Sequence, residues 1–214
     1  MDNKMKMLLL NGSPHKNGTT NAALTEVARV LNEEGVETEI LHVGNLGVRG
    51  CMGCYACMSL QKCVIDDEVN EVAEKLREAD ALVITSPIYY AAPNGTMISF
   101  LNRLFYSSRF DKTMKVGAAI TTARRGGITA GLDVINKYFS IGGMPIASGQ
   151  YWNGLHGALA EDAEEDLEGL QMLRTLARNM VFLMRSIELG REKYGIPEKE
   201  KQIRTNFIKR PKKQ

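Results

Sequence analysis

Short apolar runs alternate with segments in which apolar residues recur every three or four positions. This pattern predicts strands at 6–11, 37–43, 81–86, 115–122 and 145–148. It predicts helical faces that begin at Ala23, Val69, Met97, Ile128 and Leu167, with Gly35 closing the first helix and Asp66 or Asp67 capping the second. Strands that alternate with helices form parallel sheets through right-handed crossovers. We therefore expect a doubly wound α/β fold, with strand order 2-1-3-4-5 and helices on both faces.

Two smaller segments have a less distinctive pattern. His42 falls in the second predicted strand, and we interpret it as a surface or partly buried strand residue. Residues 152–157 form a Gly-flanked stretch that we interpret as a loop after the fifth strand. Its Trp152 either covers a cofactor of a neighbouring subunit or belongs to a structural turn.

The chain divides into a body at residues 1–190 and a basic C-terminal extension at 191–214. The extension contains nine Lys or Arg against three Glu, whereas the whole chain has a formal net charge of +2. The body is therefore mildly acidic. Only two aromatic residues, Tyr194 and Phe207, accompany the basic ones. We interpret the extension as a solvated or swapped arm and expect no nucleic-acid partner.

Composition excludes several classes of protein. A hydrophobic content of 44% is too high for a disordered chain, and 20 Gly and 6 Pro are spread too thinly for a low-complexity one. The stretch 81–102 has the length of a membrane span, but Pro87 and Pro93 within it would leave backbone groups unpaired in lipid. We therefore expect no membrane association. The first residues lack a signal-peptide pattern, so we expect a cytoplasmic location.

Three loops of unusual composition follow predicted strands one, three and four. In an open α/β sheet, ligands bind beyond the carboxyl ends of the strands. The first loop, Gly12 to Asn21, offers hydroxyls and N–H groups at the start of a helix, which suits a phosphate group. It lacks both the Walker A ending and the Gly-x-Gly-x-x-Gly fingerprint, which argues against ATP or a dinucleotide there.

The other two loops supply rings and cations. Ser86 to Gly95 carries two adjacent tyrosines between prolines, so it is stiff, apolar and able to face a planar ring. Thr121 to Gly127 contains hydroxyls and two arginines. These arginines either grip a phosphate of a second nucleotide or form a solvated surface pair.

All four cysteines lie within one short window, so they cannot staple distant parts of the fold. Three of them are three residues apart, and the fourth follows after five intervening residues, so they can converge on one point as a [4Fe-4S] cluster requires. The five-residue gap and Val64 after the last cysteine differ from the ferredoxin pattern. Free or redox-active thiols and a four-thiolate zinc site are the other interpretations. The candidate ligands are Cys51, Cys54, Cys57 and Cys63.

Over about residues 5–190, the sequence resembles the NADPH-dependent FMN reductase family of flavodoxin-like proteins, in particular its iron-sulfur flavoprotein branch. The resemblance is carried by Asn11-Gly12-Ser13-Pro14, Asn17-Gly18-Thr19-Thr20, Gly50-Cys51-x2-Cys54-x2-Cys57-x5-Cys63 with Asp66-Asp67, Ser86-Pro87-Ile88-Tyr89, and Asp166-x-Glu168-Gly169 with Arg174-Thr175-Leu176-x2-Asn179-Met180. It implies a flavodoxin-like five-stranded fold, bound FMN, NAD(P)H as co-substrate and a homodimer or homotetramer.

The resemblance also implies which residues bind the cofactor. Those that would hold the FMN phosphate are Ser13, His15, Asn17, Gly18, Thr19 and Thr20. Those that would wall the isoalloxazine ring are Pro87, Ile88, Tyr89 and Tyr90. Those that would approach the flavin or the nicotinamide are Thr122, Arg124, Gly126 and Gly127. Because His15 stands where relatives usually have Arg, and Tyr90-Ala91 where they often have Trp-Gly, substrate specificity does not transfer.

These features predict an FMN-dependent NAD(P)H oxidoreductase. Hydride would pass from NAD(P)H to FMN, and electrons then to a quinone, a nitro or azo compound, free flavin or an iron-sulfur centre. We expect ping-pong kinetics because one flavin face serves both substrates, and we expect the cofactor rather than a catalytic side chain to carry the chemistry. The alternatives are a flavin and iron-sulfur electron carrier that serves proteins such as ferredoxin, and a cysteine-based metal-binding or sensor module that binds no FMN.

Overall fold

A computed structural model of the chain describes residues 4–201, 203 and 205. Its strands are β1 (Lys6–Asn11), β2 (Glu37–His42), β3 (Ala81–Tyr89), β4 (Ala92–Pro93), β5 (Val116–Ala123) and β6 (Gly154–His156). Its helices are α1 (Thr19–Glu33), α2 (Cys57–Leu60), α3 (Glu68–Glu78), α4 (Gly95–Ser107), α5 (Ile128–Ile141), α6 (Asp162–Glu165) and α7 (Leu167–Tyr194). Strands and helices alternate through most of the chain, as the periodicity predicts.

The parallel strands lie in the order β2-β1-β3-β5-β6, and β4 pairs with β3 in the antiparallel direction. This order confirms the predicted doubly wound topology, with a sixth short strand added outside the main path. Strands β1, β3 and β5 lie inside the sheet, and each has an almost continuous run of buried residues. Helices α1 and α7 pack on one face of the sheet, and α3, α4 and α5 pack on the other.

The predicted position of the fifth strand was wrong. Residues 145–148 form only an isolated bridge between Ile146 and Gly117, and the edge strand is β6, within the segment interpreted as a loop. A Cβ added to Gly154 would lie 2.6 Å from Ile128, so glycine here permits close packing of the strand instead of marking a turn.

The C-terminal helix is longer than its predicted apolar face. Helix α7 has 28 residues and ends four residues beyond the boundary predicted for the basic extension. Beyond it, Lys199 forms an ion pair with Asp111 at 2.6 Å. The extension's residues 202, 204 and 206–214 lie outside the described residues. Within the described part of the chain, none of the helices combines the length and apolar character needed to cross a bilayer.

Candidate functional site

Loops from different strands converge at the carboxyl edge of the sheet, and the side chain of Asn94 joins three of them. Its Nδ2 donates hydrogen bonds to the carbonyls of Gly12 at 2.7 Å and Gly44 at 3.3 Å. Its backbone N–H donates to Ser86 Oγ at 2.9 Å, and its Oδ1 accepts from Thr96 N, which caps α4. One amide side chain therefore fixes the relative positions of the loops that follow β1, β2 and β3.

The loop after β1, residues 12–18, is called the phosphate loop below. Its Ser13 is buried and donates its backbone N–H to Asn11 Oδ1 at 3.0 Å. The Ser13 carbonyl lies 2.6 Å from His42 Nε2, so the ring nitrogen is the donor. A Cβ at Gly44 would lie 2.2 Å from that same carbonyl oxygen. The carbonyl side of the phosphate loop is thus packed against the body of the protein.

Helix α1 begins at the end of the phosphate loop without a side-chain cap. Its N-cap is Gly18, which offers no acceptor, whereas Asp67, Asn94 and Asp166 cap α3, α4 and α7. The first N–H groups of a helix have no intrahelical acceptor, and the helix dipole adds positive potential there. The amino end of α1 therefore suits a phosphate group.

Hydroxyl groups line the interior beside this helix end. Thr20 Oγ1 and Thr122 Oγ1 share a hydrogen bond of 2.8 Å, which ties α1 to the end of β5. Thr19 Oγ1 donates to the Leu159 carbonyl at 2.9 Å. The buried Thr85 Oγ1, beside Asn11 in the sheet register, has no partner among the described residues. The predicted hydroxyls of Thr20 and Thr122 therefore lie together, while His15 and Asn17 are exposed.

The second loop is a tight hairpin that presents an exposed ring. Strand β3 continues to Tyr89, and the chain reverses at Tyr90 and Ala91, whose φ angles of 51° and 59° are both left-handed. Left-handed backbone at residues other than glycine costs about 1–3 kcal/mol per residue and is concentrated at functional sites. Tyr90 is fully exposed and Tyr89 is 45% exposed, so both rings lie at the rim of the site.

Ile88 and the third loop pack against each other. A Cβ at Gly127 would lie 2.8 Å from the Ile88 side chain, and one at Gly131 would lie 2.2 Å from it. Ile88 therefore packs the hairpin on α5, and its predicted contact with the flavin ring stays a prediction. Gly127, with φ of 97°, begins α5, and Arg124 and Gly126 are exposed beside it.

A further groove lies next to this edge. It is lined by Ile128, Thr129, Tyr151, Trp152, Gly154, His156, Asp166, Glu168, Gly169 and Met172. The rings of Tyr151 and Trp152 are 4.7 Å apart, and both side chains are more than half exposed. Trp152, which was predicted in a loop, lies two residues before β6 at the sheet edge.

The four cysteines line one cavity beside α4. The residues 49–67 that carry them are called the cysteine segment, and the cavity has an empty volume of about 360 Å³ including open solvent. Cys51 and Cys54 are exposed, Cys63 is half-buried and Cys57 is buried. The backbone is left-handed at Gly53, Tyr55 and Gln61, which curls the segment around the cavity.

In the described ranges, no three His, Cys, Asp or Glu side chains are grouped closely enough to hold one metal. The donor set nevertheless suits an iron-sulfur cluster, because four thiols face a common space. Burial raises the pKa of the Cys57 thiol, and a bound metal would reverse that shift because coordinated thiols lose their protons.

A buried ion pair holds the cysteine segment against α4. The Arg103 guanidinium contacts both carboxylate oxygens of Asp67, at 2.6 and 2.7 Å. Its Nε lies 3.3 Å from Cys63 Sγ. Burial opposes the charged form, but hydrogen bonds to Asp67 and Cys63 outweigh it and raise the pKa of Arg103. The backbone of Cys63 also exchanges hydrogen bonds with the Asn70 amide.

Sequence reasoning missed four residues that organise the site. Asn94 was treated only as part of a loop, although Pro-Asn-Gly before an apolar helix face is an N-cap pattern. Arg103 falls on the apolar face of α4, and a cation there is itself a sign of a buried partner. His42 ends β2 and Gly44 comes just after it, but no local pattern predicts that these two residues contact Ser13.

Comparison with known proteins identifies relatives along nearly the whole chain. The family model described as NADPH-dependent FMN reductase matches residues 5–157. An iron-sulfur flavoprotein of Methanosarcina thermophila is 30% identical over 193 residues, covering 88% of this chain and all of that protein.

Two solved structures have the same fold. RosB with a bound 8-demethyl-8-formylriboflavin-5'-phosphate has a TM-score of 0.69 at 17% identity and covers 98% of this chain and 96% of that one. A WrbA-like flavodoxin of Agrobacterium tumefaciens has a TM-score of 0.59 at 14% identity, covering 85% of this chain and 99% of that one. These likenesses confirm the flavodoxin-like fold class.

Proposed function

The chain belongs to the NADPH-dependent FMN reductase family, in its iron-sulfur flavoprotein branch, and from this we propose that it is an FMN-dependent NAD(P)H oxidoreductase. The observation that carries the proposal is the uncapped amino end of α1 beside the Thr20–Thr122 hydroxyl pair, at the carboxyl edge of a flavodoxin-like sheet. RosB, which has the same fold, holds a riboflavin phosphate.

In this proposal the phosphate loop and α1 bind the FMN phosphate. The first-turn N–H groups of α1 donate hydrogen bonds to the phosphate oxygens, and the helix dipole stabilises their charge. His15 is exposed where relatives usually have Arg, so charge neutralisation falls mainly to the backbone and Lys16. The loop needs little rearrangement because Asn94 and His42 already fix its carbonyls.

The hairpin at Tyr90 and the end of β5 orient the flavin ring. The strained, exposed turn places the Tyr90 ring at the rim of the flavin site, and Thr122 lies on the inner side of that site. When bound, FMN accepts a hydride from NAD(P)H and passes electrons on to a second substrate. The protein supplies position and hydrogen-bond donors, and no side chain needs to act as a general acid or base.

The cysteine segment would hold a [4Fe-4S] cluster through Cys51, Cys54, Cys57 and Cys63. The shared cavity is what favours this over four independent thiols. When present, the cluster supplies one-electron transfer between the flavin and an acceptor. The lining residues of the cavity on α4, Arg103 and Tyr106, lie about 12–17 Å along the helix axis from its start at the flavin loops.

Exposed apolar side chains around the cysteine segment favour a protein as the final electron acceptor. Met52, Tyr55, Met58 and Leu60 are 44 to 64% exposed, and Met52 and Tyr55 line the cavity. Clusters of exposed apolar side chains mark interaction sites. The second candidate function is therefore an electron carrier that exchanges electrons with a partner protein.

The test is an anaerobic absorption spectrum of purified, iron-reconstituted protein before and after NADPH. We expect flavin bands with a broad cluster shoulder, and rapid bleaching of the flavin by NADPH. Bleaching only with reduced ferredoxin would favour the carrier and refute the reductase. Protein without bound flavin would refute both, and flavin without iron and acid-labile sulfide would refute the cluster.

A further inference from the structure

Arg103 is a buried cation that reaches from α4 into the cysteine cavity. It is 1% exposed and has the largest fully buried side chain of the described residues. Removing a guanidinium from water is costly unless every donor finds a partner. A cation at this position therefore needs a specific set of acceptors.

The guanidinium forms five hydrogen bonds, the number of its N–H groups. Two go to the Asp67 carboxylate, and two go to the carbonyls of Arg49 and Ile65, each at 3.3 Å. The fifth runs from Nε to Cys63 Sγ at 3.3 Å. The carboxylate and carbonyls already balance the charge and fasten the segment, so the bond to sulfur is not needed for either purpose.

A sulfur atom accepts this bond well only when it carries negative charge. A thiol is a weak acceptor, whereas a thiolate is the form that ligates metal. The Nε–H group is therefore directed at the atom that would become charged on metal binding. A hydrogen bond to an ionised acceptor is roughly twice as strong as one to a neutral acceptor, so this bond would strengthen when Cys63 ligates metal.

The other three cysteines have no such donor in the described part of the chain. Cys51 and Cys54 face solvent. Cys57 Sγ lies 3.9 Å from the carbonyl of Tyr106, which cannot donate. The four ligands are thus unequal, and Cys63 is the one beside a fixed cation.

We propose that Arg103 is a positioning residue that polarises the Cys63 ligand and raises the reduction potential of the cluster. The inference rests on the proposed function. Reduction adds one electron to a cluster that is already negatively charged by its thiolates, so a donor that withdraws charge from one sulfur favours the reduced form. Asp67 neutralises the net charge of the guanidinium, so the effect depends on the directed Nε–H bond rather than on a long-range field.

The experiment measures the cluster potential in anaerobically reconstituted protein by redox titration followed by EPR, with iron and sulfide assays. We compare the ratio of reduced to oxidised cluster at the midpoint potential of the wild-type protein. In R103M and R103K we expect this ratio to fall about tenfold, which is equivalent to a potential lower by ~59 mV for one electron. In D67N the ratio should rise, because the cation loses its counter-charge while Asn still caps α3. The control R109M removes an exposed cation that acts on Cys57 only through its charge, without a hydrogen bond, so it should shift the ratio much less than R103M does.

The outcomes separate this inference from the proposed function. Wild-type protein without iron and sulfide refutes the cluster and the inference together. If the loaded wild-type cluster has the same potential as those of R103K and R103M, the inference alone is refuted. A shift in R109M equal to that in R103M refutes it as well, and so does a fall of the ratio in D67N. If R103M loses cooperative unfolding by circular dichroism, R103K decides, because Lys keeps the charge beside Asp67 but lacks Nε–H.

Discussion

The phosphate loop and the cysteine segment both lie outside the sheet, but different interactions hold them in place. The backbone of the phosphate loop joins the sheet directly, because Gly12 N donates to the Thr85 carbonyl at 2.8 Å. The cysteine segment is held mainly by side chains, above all by the Arg103–Asp67 pair. The first region is an extension of the strands, and the second is fastened to one helix.

This difference predicts how each region responds to its ligand. Backbone hydrogen bonds to a buried sheet fix the phosphate loop before any ligand arrives, so binding there needs little reorganisation. Among the described residues, the thiols of the cysteine segment are not grouped closely enough to hold one metal ion. Because mainly side chains fasten this segment, we expect it to close on a cluster without disturbing the sheet.

The largest effect should come from removing the counter-charge of Arg103. Asp67→Ala leaves a buried guanidinium without its carboxylate and takes the cap from α3, so the free energy of unfolding should fall by about 3–5 kcal/mol in a urea titration. The matched control is Asp66→Ala at the exposed neighbouring position, which should change stability by less than about 0.5 kcal/mol. Equal losses in the two variants would show that the ion pair does not hold the segment.

The corresponding change in the phosphate loop is Gly44→Ala. The added Cβ would lie 2.2 Å from the Ser13 carbonyl oxygen and 2.3 Å from Gly12. Backbone atoms cannot yield as a side chain can, so we expect a stability loss of about 1–3 kcal/mol. Displacement of the loop should also weaken FMN binding at least tenfold, measured by quenching of flavin fluorescence.

Gly47→Ala is the control for that change, because a Cβ there has no atom within 4 Å. It should leave both stability and FMN affinity close to wild type. Asp67→Ala should likewise leave FMN affinity unchanged. A drop in FMN affinity in Asp67→Ala equal to that in Gly44→Ala would mean that the two regions are coupled, contrary to the comparison.

The two regions also differ in how much the sequence could predict. The phosphate loop is local: strand, polar loop and helix follow each other within 15 residues of chain, as their pattern predicts. The doubly wound order followed from the same alternation. By contrast, the Arg103 bond to Cys63 joins residues 40 apart, and no periodicity reveals it.

The error in the fifth strand occurred where glycine serves two purposes. Gly154 and Gly157 resembled the punctuation of a loop, yet Gly154 lets β6 approach Ile128. Tertiary packing decided this position, and it is not encoded in local pattern.

A smaller effect should follow from breaking the hydroxyl pair that joins α1 to β5. Thr20→Val or Thr122→Val leaves one buried hydroxyl without its 2.8 Å partner, so each should cost about 1–3 kcal/mol of unfolding free energy. The double variant should cost less than the sum, because removing both hydroxyls leaves none unpaired. Thr129→Val, at an exposed position of α5, is the control. Additive losses in the urea titrations would show that the two hydroxyls do not depend on each other.

The smallest effect should come from relaxing the hairpin beside the phosphate loop. Ala91 is left-handed with φ of 59°, so Ala91→Gly removes a steric penalty of about 1–2 kcal/mol. Glycine loses more backbone entropy on folding, about 0.5–1 kcal/mol, so the net gain in stability should be about 0.5 kcal/mol. The control is Ala92→Gly. It changes the adjacent exposed alanine, which lies in strand β4, and it should instead lose stability. If both variants shift the unfolding temperature in the same direction, the backbone at Ala91 is not strained in solution. The hairpin is then no more rigid than the cysteine segment.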